Sequence, residues 1–348
     1  MKTLLLWAIA FASTLHCATR AVFAAQPEMS AHFIYVGQAN AALLEFPCGA
    51  ILIDAGAENS AFADSLADYL NNFFARRTDL ANTIETMFMT HSHVDHSRGV
   101  RKILGNGFNV KRYIDSGQVS GSGSNDLRWV RTQISNGTVT CRLKELGDFH
   151  VPKTDADIDP ISCATCDPKI TVLSSRLNIN PGWNQTAFGN ENNHSLVIRV
   201  DFGQASFLFD GDLQKEGIAT LLQDYAGSPL LDVDVYHVGH HGAENGTTVE
   251  FLNALSPKMA ILSCGRWDGS HSTFTAWGYG HPRASIISML AQSITNKRSQ
   301  AIHPQLALGQ HSFATFAVRK RIYSTAWDKN LIVHAKLDGT YRTSRDDF

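Results

Sequence analysis

The chain alternates short apolar runs with longer stretches in which apolar side chains recur every three or four positions. Apolar runs at residues 32–36, 41–46 and 50–53 are separated by glycine and proline, and they predict three strands. Residues 61–76 carry apolar side chains at helical spacing, which predicts a helix. The apolar segment at residues 83–90 predicts the strand that follows this helix.

The same alternation returns in the second half of the chain. Residues 195–200 and 205–209 are apolar runs joined by a short turn, and they predict a hairpin. Later strands are predicted, with helices between them, at residues 233–238, 259–263, 322–324 and 331–335. Two similar halves of this kind predict one α/β domain, in which two facing β-sheets are covered by helices as a four-layer αββα sandwich.

Residues 115–170 interrupt the pattern. Residues 117–124 are rich in Gly and Ser, and residues 154–167 are rich in Asp without an apolar period. One helix is predicted here, at residues 127–134. We interpret the whole segment as an irregular insertion into the single domain.

The N-terminus is typical of a secretory signal. A charged start is followed by an apolar stretch at residues 4–12 and then by small residues. Small residues before Ala25 offer a cleavage site, which predicts a signal peptide at residues 1–24 and a mature domain at residues 25–348. A retained anchor helix is the alternative, and the short apolar run argues against it. We therefore expect a secreted or periplasmic protein.

Composition and charge narrow the class of protein. Hydrophobic residues make up 44% of the chain and charged residues 18%, which indicates a packed core. The formal net charge of −2 argues against nonspecific nucleic-acid binding over the whole surface. After the N-terminus no apolar run is long enough to cross a bilayer, so no stable membrane insertion is expected once the signal is removed.

Positive residues are concentrated in one part of the chain. Residues 98–153 contain ten Lys and Arg residues against four Asp and Glu residues. A solvated face is the ordinary explanation of such an excess. The functional alternative is a rim that attracts an anionic substrate.

Six cysteines are present, and five remain once Cys17 leaves with the signal. Export permits disulfides, and an odd number leaves a free thiol or an intermolecular bond. Cys163 and Cys166 form a lone C-x-x-C pair in a polar loop between prolines, which suits neither a zinc knuckle nor a redox motif. We expect a disulfide within this pair or from it to Cys141. The remaining two are Cys48 and Cys264.

The strongest chemical signal is a cluster of metal-ligand residues after the strand predicted at residues 83–90. His91, His93, Asp95 and His96 fall within six positions. Alternation along a strand sends His91 and His93 to the same side. Imidazole and carboxylate suit zinc, manganese or iron, and one turn can offer His91 and His93 to one ion and Asp95 and His96 to a second. A lone loop histidine is usually a hydrogen-bonded side chain, but this spacing rarely has a purely structural origin.

Further polar residues stand at strand ends. His194 precedes the strand predicted at residues 195–200, Asp212 follows the one at residues 205–209, and His240 and His241 follow the one at residues 233–238. Asp212 also suits the N-cap of a helix, which does not prevent it from binding a metal. Strand ends at one edge of a sheet are where sites are assembled.

These motifs resemble the metallo-β-lactamase fold over roughly residues 31–344. The H-x-H-x-D-H sequence is specific for that fold, and its finer features resemble the C-terminal hydrolase domain of ComEC and its free-standing secreted relatives. Those features are the segments at residues 36–41, 52–56, 192–197, 209–213, 238–242 and 280–282.

The resemblance implies a role for each ligand-type residue. His91, His93 and His194 would hold a first ion, and Asp95, His96 and one of His240 and His241 a second. Asp212 would bridge the ions, and Asp54 would orient a ligand imidazole. Asp95 or His281 would manage protons, and His281 would contact a phosphate or donate a proton. The ions would be two divalent cations, zinc or alternatively manganese.

The chain departs from the relatives in one loop. They usually show Asp-Val-Gly-Gln-Gly-Asp where residues 35–40 read Tyr-Val-Gly-Gln-Ala-Asn, so that two acids are absent. Position 194 is often Asn in the relatives.

The expected function is that of an exported dinuclear hydrolase that cleaves phosphodiesters, nucleic acid included, through a hydroxide bridging the ions. Its partner would be a small-molecule or phosphodiester substrate. Hydrolysis of a β-lactam, lactone or thioester is the alternative, and Asp212 favours the phosphodiesterase because β-lactamases of this fold generally have Cys or another residue there. A non-catalytic binding protein on the same scaffold is the third reading.

Overall fold

A computed structural model describes residues 27–267, 269 and 271–345 of the chain. The expected signal peptide at residues 1–24, including Cys17, lies outside these residues. Within the described part, no helix combines the length and the apolar character that a membrane crossing requires.

The strands are numbered in chain order. They are β1 (Glu28–Phe33), β2 (Ala42–Phe46), β3 (Gly49–Ile53), β4 (Thr83–Ile84), β5 (Thr86–Phe88), β6 (Asn109–Val110), β7 (Arg112–Asp115), β8 (Arg142–Glu145), β9 (Lys169–Ser174), β10 (Val197–Phe202), β11 (Ala205–Phe209), β12 (Val235–His237), β13 (Met259–Leu262), β14 (Lys297–Ile302), β15 (Gln305–Gly309), β16 (Ser312–Thr315), β17 (Val318–Lys320), β18 (Ile322–Ser324), β19 (Leu331–Lys336) and β20 (Tyr341–Thr343).

The helices are numbered in the same way. They are α1 (Ser60–Arg76), α2 (Val94–Ser97), α3 (Val100–Gly105), α4 (Ser124–Ser135), α5 (Gln185–Phe188), α6 (Lys215–Asp224), α7 (Val249–Leu255), α8 (Ala276–Tyr279), α9 (Ala284–Ser293) and α10 (Thr325–Asp328). Short 3-10 turns occur at Thr78–Leu80, Glu191–His194, Pro229–Leu231 and Gly239–Gly242.

Most strands belong to two sheets. The larger sheet has the order β20-β19-β1-β2-β3-β5-β7-β8, and the smaller one has the order β18-β13-β12-β11-β10-β9. From β3 to β8, and from β11 to β18, neighbouring strands are parallel. The carboxyl ends of these strands therefore collect at one edge of each sheet, where polar residues can meet.

The sheets pack face to face and helices cover their outer faces. Alternation puts Ile51 and Ile53 of β3 into the core between the sheets, together with Ile198 of β10 and Phe207 of β11. Leu52 of β3 points the other way and packs with apolar residues of α1, α3 and α4. A third cluster joins the outer face of the smaller sheet to α6, α7 and α9. The predicted four-layer αββα sandwich is confirmed.

The insertion at residues 115–170 has more regular structure than expected. Its predicted helix is present as α4, and β8 extends the larger sheet by pairing in parallel with β7. The burial of β8 is partial at most, so its sequence lacks the apolar run that marks the interior strands.

The predicted disulfide was wrong. Cys163 is bonded to Cys48, whose Cα lies 5.5 Å away although the two residues are 115 positions apart. Cys141, Cys166 and Cys264 are free and buried. The turn between β2 and β3 packs against the insertion. A Cβ placed on Gly49 would lie only 2.5 Å from the Ile161 side chain. Cys166 instead packs into the core between the sheets.

Candidate metal centre

Four ligand-type side chains from both sheets meet at one point. Asp95 and His96 follow β5 of the larger sheet, whereas Asp212 follows β11 and His241 follows β12 of the smaller sheet. Their ligand atoms all lie within 4.8 Å of one another. The backbone joins the sheets here, because the Leu196 amide donates to the Thr90 carbonyl at 2.8 Å. The fold thus brings together residues that are far apart in the sequence.

Asp212 lies at the middle of the cluster. Its carboxylate oxygens are 3.1 Å from His96 Nε2, 3.6 Å from His241 Nε2 and 3.8 Å from His91 Nε2. His241 Nε2 is also 3.3 Å from Asp95 Oδ2. Asp212 therefore faces three imidazoles that come from separate segments of the chain.

The donor set fits a divalent cation. The Nε2 atoms of His91, His96 and His241 are buried and have no hydrogen-bond partner. His96 Nδ1 lies 2.7 Å from Asp54 Oδ2, and His241 Nδ1 lies 2.7 Å from the Ser263 carbonyl. Because Nδ1 donates to these oxygens, Nε2 of each ring carries the lone pair that a metal requires. Buried nitrogens without partners are costly unless such a ligand satisfies them.

Asp54 accepts a hydrogen bond from His96 and is itself held by further hydrogen bonds. The Thr90 amide donates to Asp54 Oδ1 at 2.7 Å, and Asn40 Nδ2 donates to Asp54 Oδ2 at 2.9 Å. Asp54 is fully buried and has a φ of +59°, a left-handed conformation that Asp tolerates better than most residues. These hydrogen bonds hold the Asp54 carboxylate in place, and the carboxylate in turn orients the imidazole of His96.

The turn that carries Asp95 and His96 lies directly on the loop after β3. The Asn40 amide donates to the Asp95 carbonyl at 3.0 Å, and the Ala55 amide donates to the His96 carbonyl at 2.8 Å. A Cβ on Gly56 would lie 1.6 Å from the Asp95 carbonyl oxygen. Glycine is therefore required at position 56 by close approach of the two backbones.

His93 and His240 lie at the margin of the cluster. The His93 ring is 4.8 Å from the His91 ring, and its Nε2 is 3.7 Å from Glu191 Oε2. His240 Nε2 is 3.8 Å from Asp212 Oδ2, and its Nδ1 is 2.9 Å from Asn245 Oδ1. Of the two adjacent histidines after β12, His241 is the one within the tight cluster.

The prediction that His194 is a metal ligand was wrong. Its Nδ1 lies 2.9 Å from the Arg176 carbonyl and its Nε2 lies 2.6 Å from the Phe188 carbonyl, so both nitrogens are engaged elsewhere. The one-turn 3-10 segment Glu191–His194 directs Asn192 to the cavity instead. Asn192 Oδ1 is a buried acceptor without a partner, and Asn192 Nδ2 lies 3.4 Å from His240 Nε2.

A cavity of about 220 Å³ opens over the cluster. His281 forms one wall, and its Nδ1 lies 3.3 Å from Gln38 Nε2. The Gly265 amide donates to Gln38 Oε1 at 3.0 Å, which fixes the orientation of the Gln38 amide. Gln38 therefore donates to Nδ1 of His281, and the ring proton lies on Nε2. The sequence did not identify five residues that also line this cavity: Gln38, Ser122, Asn192, Phe274 and Tyr279.

Burial and charge set the protonation of the cluster. Burial opposes ionisation of Asp212, but the charges of His96 and His241 outweigh it and hold the pKa of Asp212 well below its usual range. Burial also opposes protonation of His96, yet Asp212 and Asp54 raise the pKa of His96 well above its usual range. Burial holds the pKa of His91 far below its usual range.

The positive excess of residues 98–153 is balanced in the folded chain. Lys102 pairs with Asp64 at 2.6 Å, Lys111 with Glu85 at 2.7 Å, and Lys144 with Asp155 at 2.6 Å, and all three acids lie outside the counted segment. The excess is thus mainly an ion-paired surface. Arg98 is the basic residue beside the cavity, with Cζ 4.8 Å from the centre of the Phe274 ring.

Comparison with known proteins gives a family match and several partial relatives. The family model of the metallo-beta-lactamase superfamily matches residues 34–266. The chain is 35% identical over 100 residues to ComE operon protein 3 of Bacillus subtilis, covering 29% of this chain and 11% of that protein. It is 32% identical over 140 residues to competence protein ComA of Neisseria gonorrhoeae, covering 40% and 18%. Recombination protein 2 of Haemophilus influenzae is 37% identical over 78 residues, covering 22% and 9%. The matched segments span less than a fifth of these relatives.

Solved structures match over most of the chain at low identity. The metallo-beta-lactamase fold protein YhfI of Bacillus subtilis has a TM-score of 0.40 and 12% identity, over 72% of this chain and 90% of that one. Human tRNase Z, short form, has a TM-score of 0.38 and 13% identity, over 68% of this chain and 91% of that one.

Proposed function

The chain belongs to the metallo-beta-lactamase superfamily and is a metal-dependent hydrolase, and we propose that it cleaves phosphodiesters with two divalent cations. The observation that carries the proposal is the set of three unpartnered imidazole nitrogens directed at Asp212. Zinc suits imidazole and carboxylate ligands, with manganese as the alternative.

The residues divide into two groups around Asp212. His96, His241 and Asp95 would hold one ion, and His91 and His93 would hold the other with Asp212 shared between them. Bound cations of this kind supply a water-derived nucleophile at neutral pH and stabilise negative charge that develops on the reacting group. Asp54 and the Ser263 carbonyl hold two of the imidazoles in place before substrate arrives, which limits reorganisation during the reaction.

His281 would act on the substrate from the cavity wall. Burial, together with the charge of His240, holds the pKa of His281 well below its usual range, so the ring is neutral at neutral pH. Because Gln38 occupies Nδ1, the Nε2 proton is available to a phosphate oxygen or a leaving group. We assign His281 as a substrate contact on these grounds.

A nucleic-acid phosphodiester is the substrate class that we favour. Support comes from Asp212 at the bridging position and from relatives named as competence and recombination proteins. The N-terminal sequence supports export, and the Cys48–Cys163 bond suits an oxidising compartment.

The proposal is tested by metal analysis and three substrates. The mature protein should bind close to two equivalents of zinc or manganese and should cleave bis-p-nitrophenyl phosphate and single-stranded DNA. His96→Ala should lower the rate by a factor of 100 or more, on the order of a lost active-site group, whereas His150→Ala, at an exposed position, should keep it. Cleavage of nitrocefin without cleavage of either phosphodiester would assign the alternative carbonyl chemistry instead.

A further inference from the structure

A second cavity adjoins the candidate metal centre. Its volume is about 420 Å³, and its walls include Trp267, Trp327, His303 and Pro304. His281 lines both this cavity and the one over the metal cluster. A substrate that spans both cavities would therefore place one group beside the cations and another on the opposite side of His281.

The walls of this cavity include a prearranged aromatic surface. The Trp267 ring stacks on Trp277 with 5.3 Å between centres and 22° between planes. It also stacks on Phe313 at 5.0 Å and 25°. Phe313 belongs to the hairpin formed by β15 and β16, which the sequence pattern did not predict. Packing of this kind fixes the plane of Trp267 before any ligand binds.

Two polar groups in the same walls lack partners. The indole nitrogens Nε1 of Trp267 and Trp327 are buried donors without a hydrogen-bond partner. Buried indole N–H groups usually find an acceptor, so these two donors are unsatisfied in the protein alone. Arg266 and Gln305 add polar groups to the lining.

We propose that this second cavity is a nucleobase subsite, which receives the base of the nucleotide next to the scissile phosphodiester. The inference rests on the proposed function and names the part of the substrate that is recognised there. A planar heterocycle matches the fixed aromatic surface through stacking, and its ring nitrogens and carbonyl groups match the polar groups of Arg266 and Gln305 in the lining. A sugar without a base offers no planar face of this kind.

The binding test uses metal-free protein, so that it does not depend on catalysis. With chelator present, deoxyadenosine 5′-monophosphate should bind more tightly than 2-deoxyribose 5-phosphate, which has the same sugar and phosphate but no base. One base stacked on an aromatic side chain predicts roughly a 5- to 150-fold difference in dissociation constant. Trp267→Leu should abolish the difference, and Trp267→Phe should retain most of it. Trp129→Leu, a half-buried tryptophan outside the cavity, should behave as the unmodified protein.

The kinetic test compares a trinucleotide with its abasic counterpart in the metal-loaded enzyme. Trp267→Leu should raise KM for the trinucleotide and leave the abasic substrate unchanged. Equal binding of nucleotide and sugar phosphate by the unmodified protein would overturn the subsite. If the base-dependent binding is present but no phosphodiester is cleaved, the proposed function fails and the second cavity remains a nucleobase-binding site of another reaction. Should Trp267→Leu not fold, the comparison of the two ligands in the unmodified protein still decides whether the cavity recognises a base.

Discussion

His96 and His241 each use Nδ1 to contact an oxygen of the protein, and this leaves Nε2 directed at Asp212. The tautomer of each ring is thereby set by its neighbour. For His96 that neighbour is a buried carboxylate, and for His241 it is a backbone carbonyl. A side-chain partner can be changed by substitution, so Asp54 is the position at which this arrangement can be tested.

Asp54→Asn should weaken metal binding about 10- to 100-fold, as expected when the partner of a ligand imidazole is altered. Asn fits the same space and tolerates the left-handed backbone at this position. Its amide lacks the charge that favours the His96 tautomer. The measurement is a competition titration of zinc against a chromogenic chelator.

The matched control is Asp64→Asn, which removes an exposed carboxylate that pairs with Lys102. It should leave metal affinity unchanged. Equal affinities in Asp54→Asn and the unmodified protein would show that Asp54 does not position a ligand.

His237 should make the metal-free protein less stable in acid. Burial, with the charge of His241, lowers the pKa of His237 to about 3. The unfolded chain binds this proton below about pH 6.5, whereas the folded chain does not, so stability is lost as pH falls below 6.5. From pH 8 to pH 5 this residue should remove about 2 kcal/mol of unfolding free energy.

The test compares the pH dependence of urea unfolding in the unmodified protein and in His237→Phe. Phe suits a position whose ring lies 5.1 Å from Phe33 and 5.5 Å from Phe209. The variant should lose about 2 kcal/mol less between pH 8 and pH 5. Parallel pH profiles would mean that His237 takes up its proton at the same pH in the folded and the unfolded chain.

Sequence spacing predicted the candidate residues that lie on one turn, because their positions relative to each other are local. Asp95 and His96 belong to such a turn, and the structure places both in the cluster. His194 was assigned by its place before a strand. Its direction depends on a single 3-10 turn and on two carbonyl acceptors that belong to other segments, which no spacing reveals.

At the scale of elements, the turn after β5 depends on the loop after β3. Gly56→Ala should lower the unfolding free energy by on the order of 3 kcal/mol, because its Cβ would lie 1.6 Å from the Asp95 carbonyl oxygen. It should also weaken metal binding, since Asp95 and His96 must move. Chemical unfolding and zinc titration measure the two effects.

Gly105→Ala serves as the matched control at the end of α3, where a new Cβ meets nothing within 4 Å. Stability there should stay the same or rise by up to about 1 kcal/mol. A Gly56→Ala protein as stable as Gly105→Ala would contradict the close approach of the two loops.

Interior elements were predictable and peripheral ones were not. The helix expected at residues 61–76 is α1, and the strands expected at 205–209 and 322–324 are β11 and β18. These elements bury a continuous apolar face, which leaves a clear period in the sequence. The strands β14 and β16 bury none of their residues fully, and β14–β17 lie outside the two main sheets, so their sequence has no such period.

At the scale of the whole molecule, the Cys48–Cys163 bond fastens the insertion to the turn between β2 and β3. Replacing either cysteine by Ser should lower the unfolding free energy by about 2–4 kcal/mol, because the bond closes a long loop in the unfolded chain. Urea unfolding without reductant measures the loss. The pairing was not predictable, since two residues 115 positions apart meet only in the folded chain.

Cys166→Ser, in the same loop, distinguishes this pairing from the one the sequence suggested. The variants at Cys48 and Cys163 should have the same unfolding free energy with and without reductant. Cys166→Ser should still lose stability when reductant is added. A Cys166→Ser protein that is insensitive to reductant would assign the bond to Cys166.

The metal cluster draws Asp95 and His96 from the larger sheet and Asp212 and His241 from the smaller one. An ion bound by all four side chains would link the two sheets, and its binding free energy would add to the free energy of folding. The gain would be about 4 kcal/mol when the free ion stands at 1,000 times its dissociation constant. At low ion concentration the protein would then lose its activity and also become more susceptible to proteolysis. The lifetime of the protein and its activity would therefore depend on the concentration of the same ion.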